Sequence, residues 1–531
     1  TAGHNIANVE TPGFTRQRVQ QTTNNAQPFG GGFIGNGARV VAIDRVYDEF
    51  LVAQLREASS NQAASSALNT QLSRLSNLLG DDATGLGPVI TEFFASVHDV
   101  AQNPTDAAAR GTLLSAANAM TGRVQDIDEE MQRLRRDTNL AVSRSIDQAN
   151  TLIGGIAALN DQIALTSSGG GSANDFLDQR DQLVRELGQL IKVNTIARPD
   201  GSVNVFMGTG QALITGGIPF KLQAVQDPKF PDDLLVAVAT LNTSVIVPTA
   251  NIGGGEIFGY LNFRDGTLTN AQNGLGRVAQ VLAVSFNQQH RLGQDKYGVM
   301  GGNFFTVSAP QTYADTRNIG AGNVSATVVD ATALMPSDYV VRWDGANSSL
   351  RRSSDGTMQT CATLPQTSDG LQISVSGTPA VNDSFLVLPN RYVARDIDVA
   401  ITDPNRIAIA SPVRSTAALP NLGNGTISQP AVIGPTVNIN LQQPVTLTFV
   451  NSTTFNVTGV GTGSPLNVPY VAGGLISYNG WSIRLDGAPR AGDMFSIGSN
   501  VGGIGDAANA QQLAGLQTRA FIRGETPSGA C

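Results

Sequence analysis

Apolar and small residues recur with a 4,3,4,3 spacing at Leu113, Ala117, Met120, Val124, Ile127, Met131 and Leu134. The same spacing carries on through Thr138, Ala141, Ser145 and Gln148 to Leu152, and no proline falls between Pro104 and Pro199. This is a heptad seam, the pattern by which helices pack side by side along their length. It predicts one helix over about 62 residues, from 105 to 166, a rod roughly 90 Å long. Arg123, Asp126, Glu129, Glu130, Arg133, Arg136 and Asp137 make the far face charged. Glu129 precedes Arg133 by one helical turn, the favourable order. The Gly154-Gly155 pair costs up to ~2 kcal/mol against two alanines and predicts a bend or an early end. The seam fits an intramolecular bundle, a surface between subunits, or one stripe for each.

Around this rod the pattern changes along the chain. Asp44 is a candidate N-cap for a helix carrying Leu51, Leu55, Leu68, Leu72 and Leu75 to about Leu79, where Gly80-Asp81-Asp82 breaks it. Pro88 opens a shorter helix with Phe93, Phe94, Val97 and Val100 along one side. Residues 175–193 read as an amphipathic helix running into a strand. Alternation and frequent turns then predict a β-hairpin element over about 194–250. A further helix carries Leu268, Leu275, Val278, Leu282 and Phe286. From 308 to about 500 strands and turns take over, with an internal repeat. Residues 370–390 match 480–500, sharing Gly370/Gly480, Ile373/Ile483, Gly377/Gly487, Pro379/Pro489, Asp383/Asp493, Phe385/Phe495 and Asn390/Asn500. Two similar β domains follow from this. Asp383 and Asp493 are expected to bond turn amides, and Phe385 and Phe495 to close equivalent cores. Residues 505–523 return to a helical pattern behind Asp506. The fold class is therefore α+β multidomain. A long antiparallel helical rod or bundle (1–307 with 503–531) bears the small β element and two inserted all-β domains, 308–400 and 401–502.

Net charge is −8 with no basic run, which argues against a nucleic-acid partner. No apolar run reaches the ~18 residues of a membrane span, so no membrane partner is expected. Charged residues are only 14%, so Gly, Asn, Thr, Ser and Gln must supply much of the polar surface. Cys361 and Cys531 allow one disulfide, not a framework. The chain opens at Thr1 inside a polar motif, which reads as a fragment or processed product; the lack of a leader then says nothing about export. His4, His98 and His290 fall on separate elements, and HExxH, CxxC, Walker and Gly-x-Ser-x-Gly motifs are absent from the sequence. No catalytic residue, cofactor or metal is expected. The glycines at 30–32, 35 and 37 lack the strand and the Lys-Ser/Thr of a phosphate loop and predict a loop or hairpin.

The first twenty residues carry the most informative motif. Asn5-Ile6-Ala7-Asn8 followed by Thr11-Pro12-Gly13-Phe14 resembles the signature shared by the axial proteins of the bacterial flagellum, with Phe14 where that family usually has tyrosine. Thr15-Arg16-Gln17, the block DFLDQRDQL at 175–183, GGGEIFGYLNFRD at 253–265 and SFNQQHRLGQDKYGVMGGNFF at 285–305 resemble the hook-associated protein 1 family in particular. The family's Asp-Leu is Asp295-Lys296 here, and its Asn after Gly-Asp is Ala507. The resemblance covers 1–307 and 503–525 and is loose over 308–500. It implies a structural subunit at the junction between hook and filament, outside the cell, exported by the flagellar secretion apparatus. The implied partners are further copies of the chain, hook protein, hook-associated protein 3 and, through a terminal region, a flagellar export chaperone. It also implies that Asn5, Ile6, Ala7, Asn8, Thr11, Pro12, Gly13 and Phe14 form an assembly motif. A secreted adhesin or phage tail-type protein is the alternative. Tandem repeats along most of an adhesin would distinguish it from this chain, whose helices bracket the β insert. A carbohydrate-active enzyme would need paired carboxylates with aromatic platforms. Trp343 and Trp481 fit core packing better.

Overall fold

A computed structural model of the chain describes residues 1–80, 85–169, 171–240, 243–361, 365–434 and 436–519. In chain order the helices are α1 (Ala2–Ala7), α2 (Glu49–Leu79), α3 (Leu86–Gln102), α4 (Ala107–Ser168), α5 (Asn174–Leu190), α6 (Thr249–Ile252), α7 (Gly255–Asn262), α8 (Thr269–His290), α9 (Val393–Asp396) and α10 (Ala508–Ala514). The chain divides into two compact units. One comprises Thr1–Asn77, Met131–Thr269 and Asp315–Arg317; the other comprises Leu78–Glu130, Asn270–Ala314 and Asn318–Cys531. The heptad rod is a single 62-residue helix, α4, which contributes to both units.

Along α4 the seam holds from Leu113 to Thr138, all buried. Beyond that it departs from expectation. Gln148 is exposed and Ala141 half-buried, while Val142, Ser145, Ile146, Ala149, Ile153 and Ile156 are buried. A straight helix at 3.6 residues per turn drifts against a strict seven-residue repeat, so the buried stripe moves one position along. The helix also runs unbroken through Gly154 and Gly155. A Cβ at Gly155 would lie 3.0 Å from the Leu183 methyl, so the glycine admits the neighbouring helix rather than ending its own.

In the first unit the buried face of α4 packs with Val184, Leu187 and Leu190 of α5, and Ile257 and Leu261 of α7. The expected β-hairpin element over 194–250 is two small antiparallel sheets. Four strands span Val193–Ala197 to Ile218–Pro219, and three span Leu222–Gln226, Leu234–Ala239 and Ser244–Ile246. Val205, Leu213, Leu222, Val236 and Val238 join the same core. A π-helical turn, Phe263–Leu268, links α7 to α8. Inside it the buried Arg264 guanidinium donates to Asn139 Oδ1 at 2.7 Å and the Leu234 carbonyl at 2.6 Å, and pairs with Asp265 at 2.7 Å. Near the N-terminus, Gln17–Thr23 pairs with Ala38–Arg45 in a two-stranded ribbon, bulged at Gln20/Gln21 and tipped by the hairpin Gln27–Phe29/Gly32–Ile34. Asp44 is a ribbon residue opposite Arg18, not a helix cap. Asp48 takes that role, its carboxylate accepting from the Leu51 N–H at 3.1 Å. The helix break expected at 80–82 falls mainly outside the described residues.

In the second unit Phe93, Phe286, Phe304 and Phe305 cluster with ring centroids 4.8 to 6.3 Å apart. The two β regions have the same strand order. The first sheet runs Gln311–Ala314, Ser384–Leu388, Tyr339–Trp343, Ser348–Arg352, Met358–Cys361; the second runs Val413–Ala417, Met494–Ser499, Val445–Phe449, Thr454–Gly459, Val468–Pro469. The repeated segments occupy corresponding strands, Leu371–Ser376 with Ser384–Leu388 and Trp481–Asp486 with Met494–Ser499. Asp383 accepts from the N–H groups of Ile319, Gly320 and Ala380, and Asp493 from those of Leu422, Gly423 and Arg490. Leu371 and Trp481 are both fully buried, so the tryptophan is a core residue and no sugar platform. The last helix is shorter than its pattern suggested. The Asp506 carboxylate accepts from the Ala508 N–H, but the N-cap position itself is Ala507, and α10 gives way at Gly515 to a 3-10 turn ending at Thr518. Residues 520–523 and Cys531 lie outside the described residues, as does the side chain of Cys361.

Candidate functional site

The N-terminal motif folds as a short helix, a turn and the start of the ribbon. Within it the Asn5 side-chain amide brackets Gln17, donating to its carbonyl at 3.0 Å and accepting from its N–H at 2.9 Å. Asn8 caps α1 by donating to the His4 carbonyl at 3.0 Å and accepts from the Thr11 hydroxyl at 3.3 Å. Thr11-Pro12-Gly13-Phe14 is a tight turn closed by the Phe14 N–H on the Thr11 carbonyl at 3.1 Å. Gly13 has φ +87°, the left-handed conformation its place in the turn requires. A Cβ there would also lie 3.0 Å from Arg185 Nη2 and 3.1 Å from Gln182 Cβ. Phe14 meets the His4 ring edge-on at 5.4 Å.

Two of the family-like blocks meet in space here. The Thr15 N–H donates to Asp178 at 3.0 Å, and the Thr15 hydroxyl also bonds the Asp178 carboxylate. Arg45, at the end of the ribbon, pairs with Asp178 at 3.0 Å and Asp181 at 2.5 Å. Asp181 in turn takes Arg180 at 3.0 Å, and Arg180 donates to the Gly201 carbonyl at 2.8 Å. Asp178 and Arg180 are buried. Asp178 and Asp181 stand one turn apart, so both can face the ribbon. Burial, then the charge of Asp181, push the neighbouring Tyr47 hydroxyl above its ordinary range. The result is a clamp of paired charges between ribbon and α5, with its acids committed to guanidinium groups. Beside it lies a cleft of about 450 Å³ lined by His4, Asn8, Thr11, Pro12 and Phe14 on one side and by Asp175, Gln182 and Leu183 on the other.

Of the expected motif residues, Asn5, Asn8, Gly13 and Phe14 are partly covered, while Ile6, Ala7, Thr11 and Pro12 face outward. Ile6 is 75% exposed, as is Val9 one turn on. Arg45 escaped the sequence reading because its carboxylate partners lie far along the chain. The Asp-x-x-Asp spacing inside 175–183 was its visible counterpart. Among the described residues His98 reaches Gln517 at 3.3 Å. His290 is fully buried, with Nδ1 donating to the Gly302 carbonyl at 2.8 Å and Nε2 accepting the Ala408 N–H at 2.9 Å. Burial pushes its pKa down to about 4. Among the described residues no group of acids, His and Cys is arranged to hold a metal ion, and no helix is long and apolar enough to cross a membrane.

Packed long helices bearing β sheets and a charge-paired N-terminal clamp define the class as an α+β multidomain protein with a helical rod. Residues 72–305 match the family model described as the flagellar hook-associated protein FlgK helical domain. Residues 313–389 match that of the flagellar hook-associated protein 1 D2-like domain. Flagellar hook-associated protein 1 of Escherichia coli (strain K12) is 34% identical over 419 residues, covering 77% of this chain and 76% of its own. The Bacillus subtilis (strain 168) protein of the same name is 23% identical, covering 62% and 71%. The structure of the flagellar hook junction protein FlgK from Burkholderia pseudomallei matches with a TM-score of 0.82 at 31% identity, over 90% of this chain and 92% of that one. The chain belongs to the flagellar hook-associated protein 1 family.

Proposed function

We infer that this chain is a structural subunit of the bacterial flagellum, working outside the cell at the junction between hook and filament. The observation that carries the reading is the likeness, over nine-tenths of the chain, to a flagellar hook junction protein. The subunit is exported by the flagellar secretion apparatus and acts by self-assembly, without catalysis. Its partners are copies of itself, hook protein and hook-associated protein 3, with an export chaperone engaging a terminal region. Nothing favours an adhesin.

The assembly motif has two sides in this reading. Asn5, Asn8, Gly13 and Phe14 hold the motif on α5, and Ile6 with Ala7, Thr11 and Pro12 meet neighbours. The reading also takes residues 1–307 with 503–531 as one helical domain carrying β domains at 308–400 and 401–502. The packing of α10 on α3 supports that return.

The test is complementation. Flagellated cells lacking the chain should shed their filaments from completed hooks, and the full chain should restore attachment. Asp178→Ala with Asp181→Ala should fold, by circular dichroism, yet restore attachment at least about tenfold less well, because unpaired Arg45 frees the ribbon. Filaments that stay attached without the chain would refute the reading.

A further inference from the structure

The block GGGEIFGYLNFRD has a family resemblance but no part in the clamp. It builds α7, which crosses α2 at close range: a Cβ at Gly259 would stand 2.4 Å from the Ala64 carbonyl. Two adjoining hollows of about 350 and 430 Å³ follow α2 from Ser59 to Ser73, sharing Gln62, Ser66 and Thr70. Their floor is made of small side chains, Ala63, Ser66 and Ala67, and Glu256 and Tyr260 of α7 form one wall. Fifteen residues of helix make a groove about 20 Å long.

Glu256 is the unusual member. An acid in the first turn of α7 suits the helix dipole, and a solvent-facing one would serve equally well. This one is half-buried, and among the described residues it has no hydrogen-bond or ion-pair partner. Burial alone holds its carboxyl above the usual glutamate range, with no cation to offset it. The same negative charge adds to the effect of burial in raising the Tyr260 hydroxyl. The groove therefore presents a partly dehydrated carboxylate above a floor of small side chains.

The same unit carries a complementary surface. The ribbon strand Ala38–Arg45 is about 26 Å long, and its outward residues include Val40, 58% exposed, and Val41, 59% exposed. Arg39 precedes them, exposed and without an ion pair among the described residues. An isolated two-stranded ribbon is marginal in water and gains from cover. We propose that the α2 groove receives the ribbon strand of a second copy of this chain, with Arg39 seated beside Glu256 and Val41, two residues on, over Ala63 and Ala67. Ribbon and groove are different surfaces, so each contact leaves one of each free and the association propagates rather than closing as a two-fold dimer. This deepens, and rests on, the reading of the chain as a self-assembling axial subunit.

The experiment uses the full chain in flagellated cells lacking it. Glu256→Arg and Arg39→Glu are tested singly and together, reading the amount of chain retained on isolated hooks. Each single reversal should lower retention on the order of tenfold, and the charge exchange in one chain should recover it to within about threefold. Circular dichroism of each purified variant identifies misfolding. Should Glu256→Arg not fold, Glu256→Gln carries the test, with a loss of a few-fold expected. Full retention of the folded single variants, or a double variant no better than either single, would overturn the groove assignment and leave the junction reading standing. An unsubstituted chain absent from the hook would overturn both.

Discussion

The two β regions have the same strand order and different interiors. The first draws Val281 of α8 into its core beside Val324, Tyr339, Ile373 and Phe385. It also buries charge: Asp369 accepts from the Tyr339 hydroxyl at 2.7 Å and from Arg352 at 2.7 and 3.0 Å, and Arg391 pairs with Asp338, which also accepts from Asn273 of α8 at 3.0 Å. Among the described residues the buried core of the second region comes from its own segment, with Phe449, Phe455, Trp481 and Phe495 at its centre, and the partly buried Met300 packs against it from outside. Phe449 lies 5.5 Å from Phe455 and 5.9 Å from Phe495. One strand plan can thus be closed from within, by aromatic area, or fastened to a helix by shared side chains and buried ions. The repeat governs the turns and the capping aspartates, and the surroundings govern the filling.

The comparison is most exposed to large-to-small changes at the paired phenylalanines. Phe495→Ala should cost ~3–5 kcal/mol and strip hydrogen-exchange protection from residues 413–499 alone. Phe385→Ala should cost a similar amount, with the loss spreading into α8 around Val281. Equal spread in both variants would erase the distinction. Next in size, Asp369→Ala leaves Arg352 buried without its main partner and should cost on the order of 3 kcal/mol in the first region. Asp493→Ala frees three turn N–H groups in the second and should cost about 2 kcal/mol, read by urea denaturation of each variant.

The smallest effect tests the seam where the second region joins the helices. His290 of α8 holds the Ala408 N–H only while its Nε2 is unprotonated. Its folded pKa, about 4, lies below the ordinary 6.5. The unfolded chain therefore binds the proton more readily, and the stability from this site is complete above about pH 6.5 and lost as pH falls towards about 4. Between about pH 7 and 5 the loss should be ~2 kcal/mol, and His290→Gln should flatten that part of the profile. Exchange protection should fall first around residues 407–410. An unchanged pH profile in the variant would remove His290 from this role.

Periodicity alone made α4 legible, because a long run of 4,3 spacing has one physical reading. The repeat was legible for a similar reason, since turn glycines, capping acids and core phenylalanines recur in order. The second half of the seam was not, because Gln148 and Ile146 both fit a helix and only the neighbours select the buried stripe. Asp44 looked like the cap of α2 until ribbon pairing claimed it and left that role to Asp48. In the candidate site, Asn5 to Phe14 were visible as a motif, while Arg45 carried no local signal.

The sequence by itself determined the rod, the two β regions, the repeated turns and the family-like motif, since these depend on local chemistry and on spacing along the chain. Tertiary structure decided which stripe of α4 is buried, that Arg45 joins Asp178 and Asp181, that Gly155 admits a helix instead of ending one, and that Glu256 is left uncompensated. Each of those depends on groups distant in sequence and close in space. Whether a charge is paired or a glycine is needed follows from which surfaces meet, and a single chain position does not encode that.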